Sequence, residues 1–266
     1  MATAAGTRTP AAERDSEVKS LTKALDLLCC FTTENPEWGV TELAQYLGMY
    51  KSTAHRLLTT FEKLRFVERT PGRRYRLGIR TVELGNMFQL NDQLIRVAER
   101  GLRKLAEETK SITHLSKLDG RDTVELLRFS GAENWPFSSK AAVRREAHAT
   151  AKGKIFLAYN PEFLQRFVGK RQFFKKYTFL TIDTPDKLRQ EAAQIVKQGY
   201  AVDNQESRIT MRCLAVPVCT GSGTLIAALS LSNTTDNMPI DEIPRLLPKL
   251  LRLSKAISRD LLGRRM

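Results

Sequence analysis

Cysteine and histidine are scarce in this chain, acids are outnumbered, and no long apolar run occurs anywhere in its 266 residues. Each shortage excludes something. The four cysteines, Cys29, Cys30, Cys213 and Cys219, lack the paired spacing of a zinc site, and the adjacent Cys29 and Cys30 read as packing residues on an amphipathic helix. Neither structural metal, disulfide nor cofactor is expected. The three histidines are scattered: His55 on a polar helical face, His114 in a strand pattern and His148 at a helix start. No apolar segment approaches the roughly 18 residues a membrane-crossing helix needs. Residues 1–16 are polar and rich in Ala and Thr, without a signal-peptide core, and read as a disordered arm. The expectation is a soluble, cytoplasmic protein with no membrane partner.

The charge balance points to a polyanionic partner, since 43 Lys and Arg face 29 Asp and Glu for a net +14. The excess is not concentrated at the N-terminus. Residues 1–80 hold 13 basic and 9 acidic residues, net +4, whereas residues 140–180 hold 10 and 2, net +8. Two readings of the second cluster stand: a solvated basic surface, or a site for an acidic ligand.

Residues 41–64, TELAQYLGMYKSTAHRLLTTFEKL, carry the strongest local signal. Leu43, Ala44 and Leu47 follow the spacing of a buried helical stripe, Gly48 supplies a turn, and a second helix opens at Lys51. In that helix Ala54, Leu57, Leu58, Phe61 and Leu64 share one side. Lys51, Ser52, Thr53, His55, Arg56, Thr59 and Lys63 share the other, where they can bond base edges and phosphates. Taken alone, the stretch also fits a helical hairpin inside a larger enzyme. The next residues favour a DNA reader: strands at 65–69 and 75–77 flank Thr70-Pro71-Gly72-Arg73-Arg74, so the order is that of a winged helix-turn-helix. Arg65, Arg69, Arg73, Arg74, Arg76 and Arg80 surround the hairpin against one acid, Glu68, and guanidinium groups suit phosphate. The candidate contacts to double-stranded DNA are Lys51, Ser52, Thr53, His55, Arg56, Arg73 and Arg74.

Around this head, Val18, Leu21, Leu25, Leu28 and Phe31 predict a bracing helix over residues 16–33. Residues 17–80 form the expected DNA-binding domain and 81–91 a linker helix, with Asn91 as N-cap of a helix carrying Leu94, Ala98, Leu102 and Leu105. These helices hold more apolar positions than one small winged domain can bury, which predicts a homodimer. Residues 92–266 read as a second domain. Two strand patterns flank Asp119-Gly120 as a hairpin, helices are expected at 147–159 and 185–199, apolar strands at 213–219 and 224–232, and a closing helix before Gly263. The mixture is α+β.

With these elements in order, the chain resembles the isocitrate-lyase-regulator (IclR) family of bacterial transcription regulators over residues 17–263. Three stretches carry the likeness: KSTAHRLL at 51–58; AHATAKGK at 147–154; and GYAVDNQE at 199–206 with RCLAVPV at 212–218 and AALSLS at 227–232. The resemblance implies an N-terminal winged helix-turn-helix, a linker helix, a C-terminal GAF-like effector-binding domain, dimers that often pair into tetramers, and repression or activation governed by a small metabolite. It also implies effector contacts at Phe137, Ala151, Lys152, Asp203, Met211, Cys213, Ser230 and Ser232. Their chemistry suits that role: Ser230 and Ser232 alternate to one side of a strand, and the amides of 151–154 open a helix whose dipole favours an anion.

Lys152 departs from the small or apolar residue common there, and Arg144-Arg145 precede it where apolar residues are usual. Lys152 either points outward or pairs with an acidic effector group, and an organic acid is the expected ligand. Two other function classes stand beside the regulator. A GAF-like enzyme would use a reactive Cys213, or a serine set drawn from His148, Ser230 and Asp203; an effector-independent DNA-binding protein would ignore metabolites.

Overall fold

The structure, a computed structural model, describes residues 18–32, 35–120, 122–131 and 146–262. Phe137, Arg144, Arg145 and the arm at 1–16 lie outside the described residues. The chain divides into two compact units between Phe88 and Gln89.

The first unit holds helices α1 (Lys19–Cys29), α2 (Val40–Tyr46) and α3 (Lys51–Lys63), then a hairpin of β1 (Val67–Arg69) and β2 (Tyr75–Leu77). Leu27, Cys30, Phe31, Leu43, Leu58, Val67 and Tyr75 make its core. Gly48 takes φ +62 between α2 and α3, a conformation that disfavours any side chain. Trp38 pairs with Tyr75 as an isolated bridge and donates from Nε1 to the Cys30 carbonyl at 2.9 Å, which ties the wing to α1. The bracing helix is shorter than the expected 16–33. Val18, Leu21 and Leu25 of its predicted stripe are exposed, while Leu27 is the residue it buries.

The helix after the wing, α4 (Ile79–Asn91), is followed by α5 (Gln93–Thr109). The N-cap of α5 is Asp92 rather than Asn91, which closes the preceding helix; Asp92 accepts from the Ile95 amide at 3.2 Å. Lys117 reaches the other oxygen of Asp92 at 2.8 Å.

In the second unit β3 (Ile112–Asp119), β4 (Asp122–Ser130), β5 (Ala201–Asn204), β6 (Met211–Cys219) and β7 (Leu225–Thr234) form one antiparallel sheet in the order β4-β3-β7-β6-β5. Gly120, at φ +58, closes the first hairpin as Asp119-Gly120 predicts. Alternation sorts each strand. Leu115, Leu214, Val216, Leu229 and Leu231 pack with α5 and with α9 (Ile243–Leu262) on one face. Ala201, Ala215 and Ala228, small enough for close approach, pack on the other with α6 (Ala151–Tyr159), α7 (Pro161–Val168) and α8 (Pro185–Gln198). A one-turn 3₁₀ helix at Ala147–Ala149 precedes α6. A Cβ on Gly153 would lie 2.3 Å from the Ala147 carbonyl oxygen, so α6 seats on that turn only with glycine there. Among the described residues no helix is long and apolar enough to cross a membrane.

Candidate functional site

Helix α3 buries Ala54 and Leu58 and turns Lys51, Ser52, His55 and Arg56 outward, with Thr53 half-buried between. Leu64, predicted for the buried side, is exposed. Tyr50, the N-cap residue of α3, is 85% exposed; tyrosine is no capping residue, and nothing in its type marked it.

At the wing tip the left-handed conformation falls on Arg73, at φ 56, rather than on Gly72, and leaves Arg73 exposed. Arg74 departs from its predicted role. Its guanidinium forks onto Glu42 of α2 at 2.9 and 2.7 Å and donates to the Glu37 carbonyl at 3.0 Å. Glu42 also accepts from the Gly39 amide at 3.2 Å, so one carboxylate caps α2 and fastens the wing. That guanidinium is engaged before DNA arrives. Arg76 is paired with Glu68 at 2.5 Å and Arg80 with Glu83 at 2.7 Å. We predict that Arg73→Ala flattens the dependence of log Kd on log salt by about one phosphate contact. Arg74→Ala should instead lower the melting temperature of the first unit, and Glu42→Gln should mimic it. Salt titrations by fluorescence anisotropy together with thermal scans separate the two; equal salt slopes for wild type and Arg73→Ala would remove the phosphate assignment.

In the second unit a polar strip crosses the α6 face of the sheet. His114 lies opposite Ser230, and Ser232 opposite Cys213, so these groups and Ser116 share one side. Met211, two residues before Cys213, is half-buried on that side. Ser232 Oγ donates to Cys213 Sγ at 3.1 Å. Burial, with Asp203 nearby, pushes the Cys213 thiol up to about 12, so it stays protonated and lacks the thiolate a reactive cysteine needs.

Thr150 caps α6, with Oγ1 accepting from the Gly153 amide at 3.1 Å and its carbonyl from Lys154 at 2.9 Å. Of the four amides expected to face an anion, those of Ala151 and Lys152 remain. Lys152 does not simply point outward: its ammonium lies 3.4 Å from Glu125 Oε2, which also meets His114 Nδ1 at 2.6 Å. Burial opposes charge on Glu125, but the hydrogen bond and charge of His114, with the Lys152 and Arg128 cations, outweigh it and hold its carboxyl at about 2. Burial also lowers the His114 pKa, against the pull of the Glu125 carboxylate.

Asp203 is fully buried, and its carboxylate accepts from the Glu206 amide at 2.7 Å, the Ser207 amide at 3.2 Å and the Ser207 hydroxyl at 2.5 Å. It braces the turn after β5 with two bonds on Oδ1 and one on Oδ2.

Lys154 is the residue that sequence reasoning undervalued, being read there only for its amide. Its ammonium is buried under α6 and donates to Glu206 Oε1 at 2.6 Å, Glu191 Oε1 at 2.8 Å and the Val202 carbonyl at 2.6 Å. A lysine beside Ile155 and Phe156 in an apolar helix was the available signal. Burial pushes Glu206 up to about 7, against the pull of Lys154. Burial also opposes charge on Lys154, but the two carboxylates prevail and its pKa is raised.

A two-part match joins this geometry. Residues 20–71 fit the IclR helix-turn-helix domain, and residues 89–259 fit the bacterial transcriptional regulator IclR C-terminal domain. The chain belongs to the IclR family. It is similar to the transcriptional regulator XynR of Escherichia coli, with 31% identity over 245 residues spanning 92% of this chain and 97% of that one. The IclR of Thermotoga maritima superposes with a TM-score of 0.69 at 27% identity, covering 92% of this chain and 99% of that one. An IclR homologue from Microbacterium hydrocarbonoxydans, in complex with 4-hydroxybenzoate, shares the fold at 23% identity, with a TM-score of 0.79 and coverage of 92% and 99%.

This IclR-family chain is therefore a transcriptional regulator with a helix-turn-helix DNA-binding domain and a C-terminal effector domain. The serine set weighed as an enzyme alternative is not assembled. His148 Nε2 meets the Lys175 carbonyl at 3.0 Å, its ring packs on Phe167 and Phe174, and Asp203 is spent on its own turn.

Proposed function

We propose that this cytoplasmic IclR-family regulator binds operator DNA as a homodimer, able to pair into tetramers, and that a small organic acid beside Lys152 sets its DNA affinity. The observation that carries the effector reading is the hydroxyl-bearing polar strip at the start of α6, where the Lys152 ammonium lies 3.4 Å from Glu125 Oε2 beside Ser230 and Ser232. Ser230, Ser232, Cys213, Met211 and the amides of Ala151 and Lys152 complete the contact set, with Phe137 as the proposed wall. Asp203, opposite Cys213 in the sheet, is proposed as a further contact. The acid bound in the Microbacterium homologue is of the same chemical class. On the DNA side, Lys51, Ser52, Thr53, His55, Arg56 and Arg73 are the proposed contacts.

A second copy accounts for the apolar side chains that one chain leaves in water. Val18, Leu21 and Leu25 of α1 and Ile79, Val82, Leu84, Met87 and Phe88 of α4 are all exposed. Monomeric proteins rarely tolerate so many together. Light scattering should give a dimeric or tetrameric mass at micromolar concentration, and selection from a random duplex library should return two symmetry-related half-sites. A monomeric mass that DNA does not change, or an asymmetric single site, would contradict the dimer.

A further inference from the structure

We propose that Tyr50 reads thymine: on the operator its ring packs against the C5-methyl group of a thymine in the major groove, so that each half-site carries a thymine fixed by this side chain. This rests on the assignment of α3 as the helix that enters the DNA, and adds to it a residue outside the contact set above.

The fold does not need a tyrosine at this position. Gly48 makes the turn between α2 and α3, and the Met49 amide closes it on the Ala44 carbonyl at 2.9 Å. Tyr50 contributes its backbone: extended at φ −65 and ψ 141, it accepts at its carbonyl from the Thr53 and Ala54 amides at 3.0 and 3.1 Å. Its side chain makes no capping bond, and its exposure of 85% exceeds that of any other large apolar side chain among the described residues.

A tyrosine here is kept against the preference of the helix. Ser, Thr, Asp and Asn at an N-cap accept from an amide of the first turn and stabilise the helix, and this chain uses them at Asp92 of α5, Thr150 of α6, Asn160 of α7 and Thr184 of α8. A local rule broken with no gain to the fold marks a functional position. An aromatic ring left in water is also unfavourable, and burying it against a partner supplies the compensating gain.

Position identifies the partner. The residues that open the second helix of a helix-turn-helix are the ones that meet base edges in the major groove, and Tyr50 stands immediately before Lys51 and Ser52, which are exposed. Of the groups displayed in that groove the thymine methyl is the apolar one, and apolar side chains pair with it, whereas the other edges call for hydrogen-bonding groups. A phosphate contact through the hydroxyl alone would leave the ring in water.

Tyr50→Ser separates fold from function because it moves the two in opposite directions. It installs a capping hydroxyl, so the melting temperature of the first unit should rise by about 2–8 °C. By competition anisotropy on the full-length chain, its affinity for the operator selected from the random library should fall about ten-fold or more, and its affinity for a scrambled duplex by less than about three-fold. Tyr50→Phe keeps the ring and should bind the operator within about two-fold of wild type. With wild type, which needs no variant to fold, replacing operator thymines by uracil one at a time should weaken binding about four-fold at one position in each half-site, as the loss of one buried methyl group gives, and Tyr50→Ser should be indifferent to that change. Four results would each overturn the proposal: Tyr50→Ser binds the operator as wild type does; Tyr50→Ser melts lower, so that the ring supports the fold; Tyr50→Phe loses as much as Tyr50→Ser, which assigns the hydroxyl to phosphate; or no thymine exists at which uracil distinguishes wild type from Tyr50→Ser. Arg56→Ala is the control. If its operator affinity falls while that of Tyr50→Ser does not, α3 still reads DNA and only Tyr50 is removed; if neither falls, the assignment of α3 fails as well.

Discussion

Lys154→Ala is expected to lower the melting temperature of the effector-binding unit by about 6–20 °C. Removing one partner of a buried ion pair costs about 3–5 kcal/mol, and each kcal/mol shifts a unit of this size by about 2–4 °C. The expectation sits at the upper end of single substitutions because the ammonium joins three elements: α6 through its own backbone, α8 through Glu191 and the turn after β5 through Glu206. The penalty should depend on pH. The Glu206 pKa is raised from 4.5 to about 7, so its contribution to stability is fully present below about pH 4.5 and is lost as pH rises through 7. The wild-type chain should therefore lose stability from this group between about pH 4.5 and 7, and Glu206→Gln should remove that slope. In Lys154→Ala the stranded Glu206 anion should deepen the loss above pH 7. Pairing the change with Glu206→Met should recover much of it, because apolar replacement of both partners removes the stranded charge. A thermal scan in which Lys154→Ala melts within 2 °C of wild type, as about 1 kcal/mol or less would give, contradicts the role assigned to this lysine.

Arg56→Ala is expected to weaken operator binding by about 1–3 kcal/mol, roughly 5- to 150-fold, while changing affinity for unrelated duplex much less. Arg56 is exposed on the outer face of α3, beside His55 and one turn from Ser52, whereas the helix is anchored by Ala54 and Leu58. The substitution should therefore leave the melting temperature unchanged, since the side chain supports no packing. Competition anisotropy with selected and scrambled duplexes reads the difference. An equal loss on both duplexes would move Arg56 from base reading to phosphate contact.

What the sequence made legible follows short-range rules. Gly48 between two apolar stripes, Asp119-Gly120 between two alternating runs, and the small residues of 227–232 all announced their structure locally. Helix α7 was equally announced by Asn160-Pro161, an N-cap followed by proline at the first helical position, and reading along the chain passed over it. Other features depend on partners distant in sequence. Arg74 looked like one more wing cation because Glu42 lies 32 residues before it. Glu125, 27 residues before Lys152, was not a candidate at all, since an acid in an alternating strand is ordinarily read as its solvated face. Asp203 lies in a family signature, yet the amides that bond it follow in a turn whose closure no periodicity reports. The exposed stripe of α1 misled for a different reason: its periodicity was read correctly, but among the described residues nothing covers Val18, Leu21 and Leu25.

The central claim is that one ligand, held in the second unit, sets DNA binding by the first. It is tested most directly by fluorescence anisotropy of the selected operator, titrated with full-length protein in the presence and absence of the tightest acid found by calorimetry. Saturating acid should change the operator Kd by about 5- to 150-fold, and by linkage the operator should change the acid Kd by the same factor. An operator Kd that stays the same with the pocket saturated would contradict it.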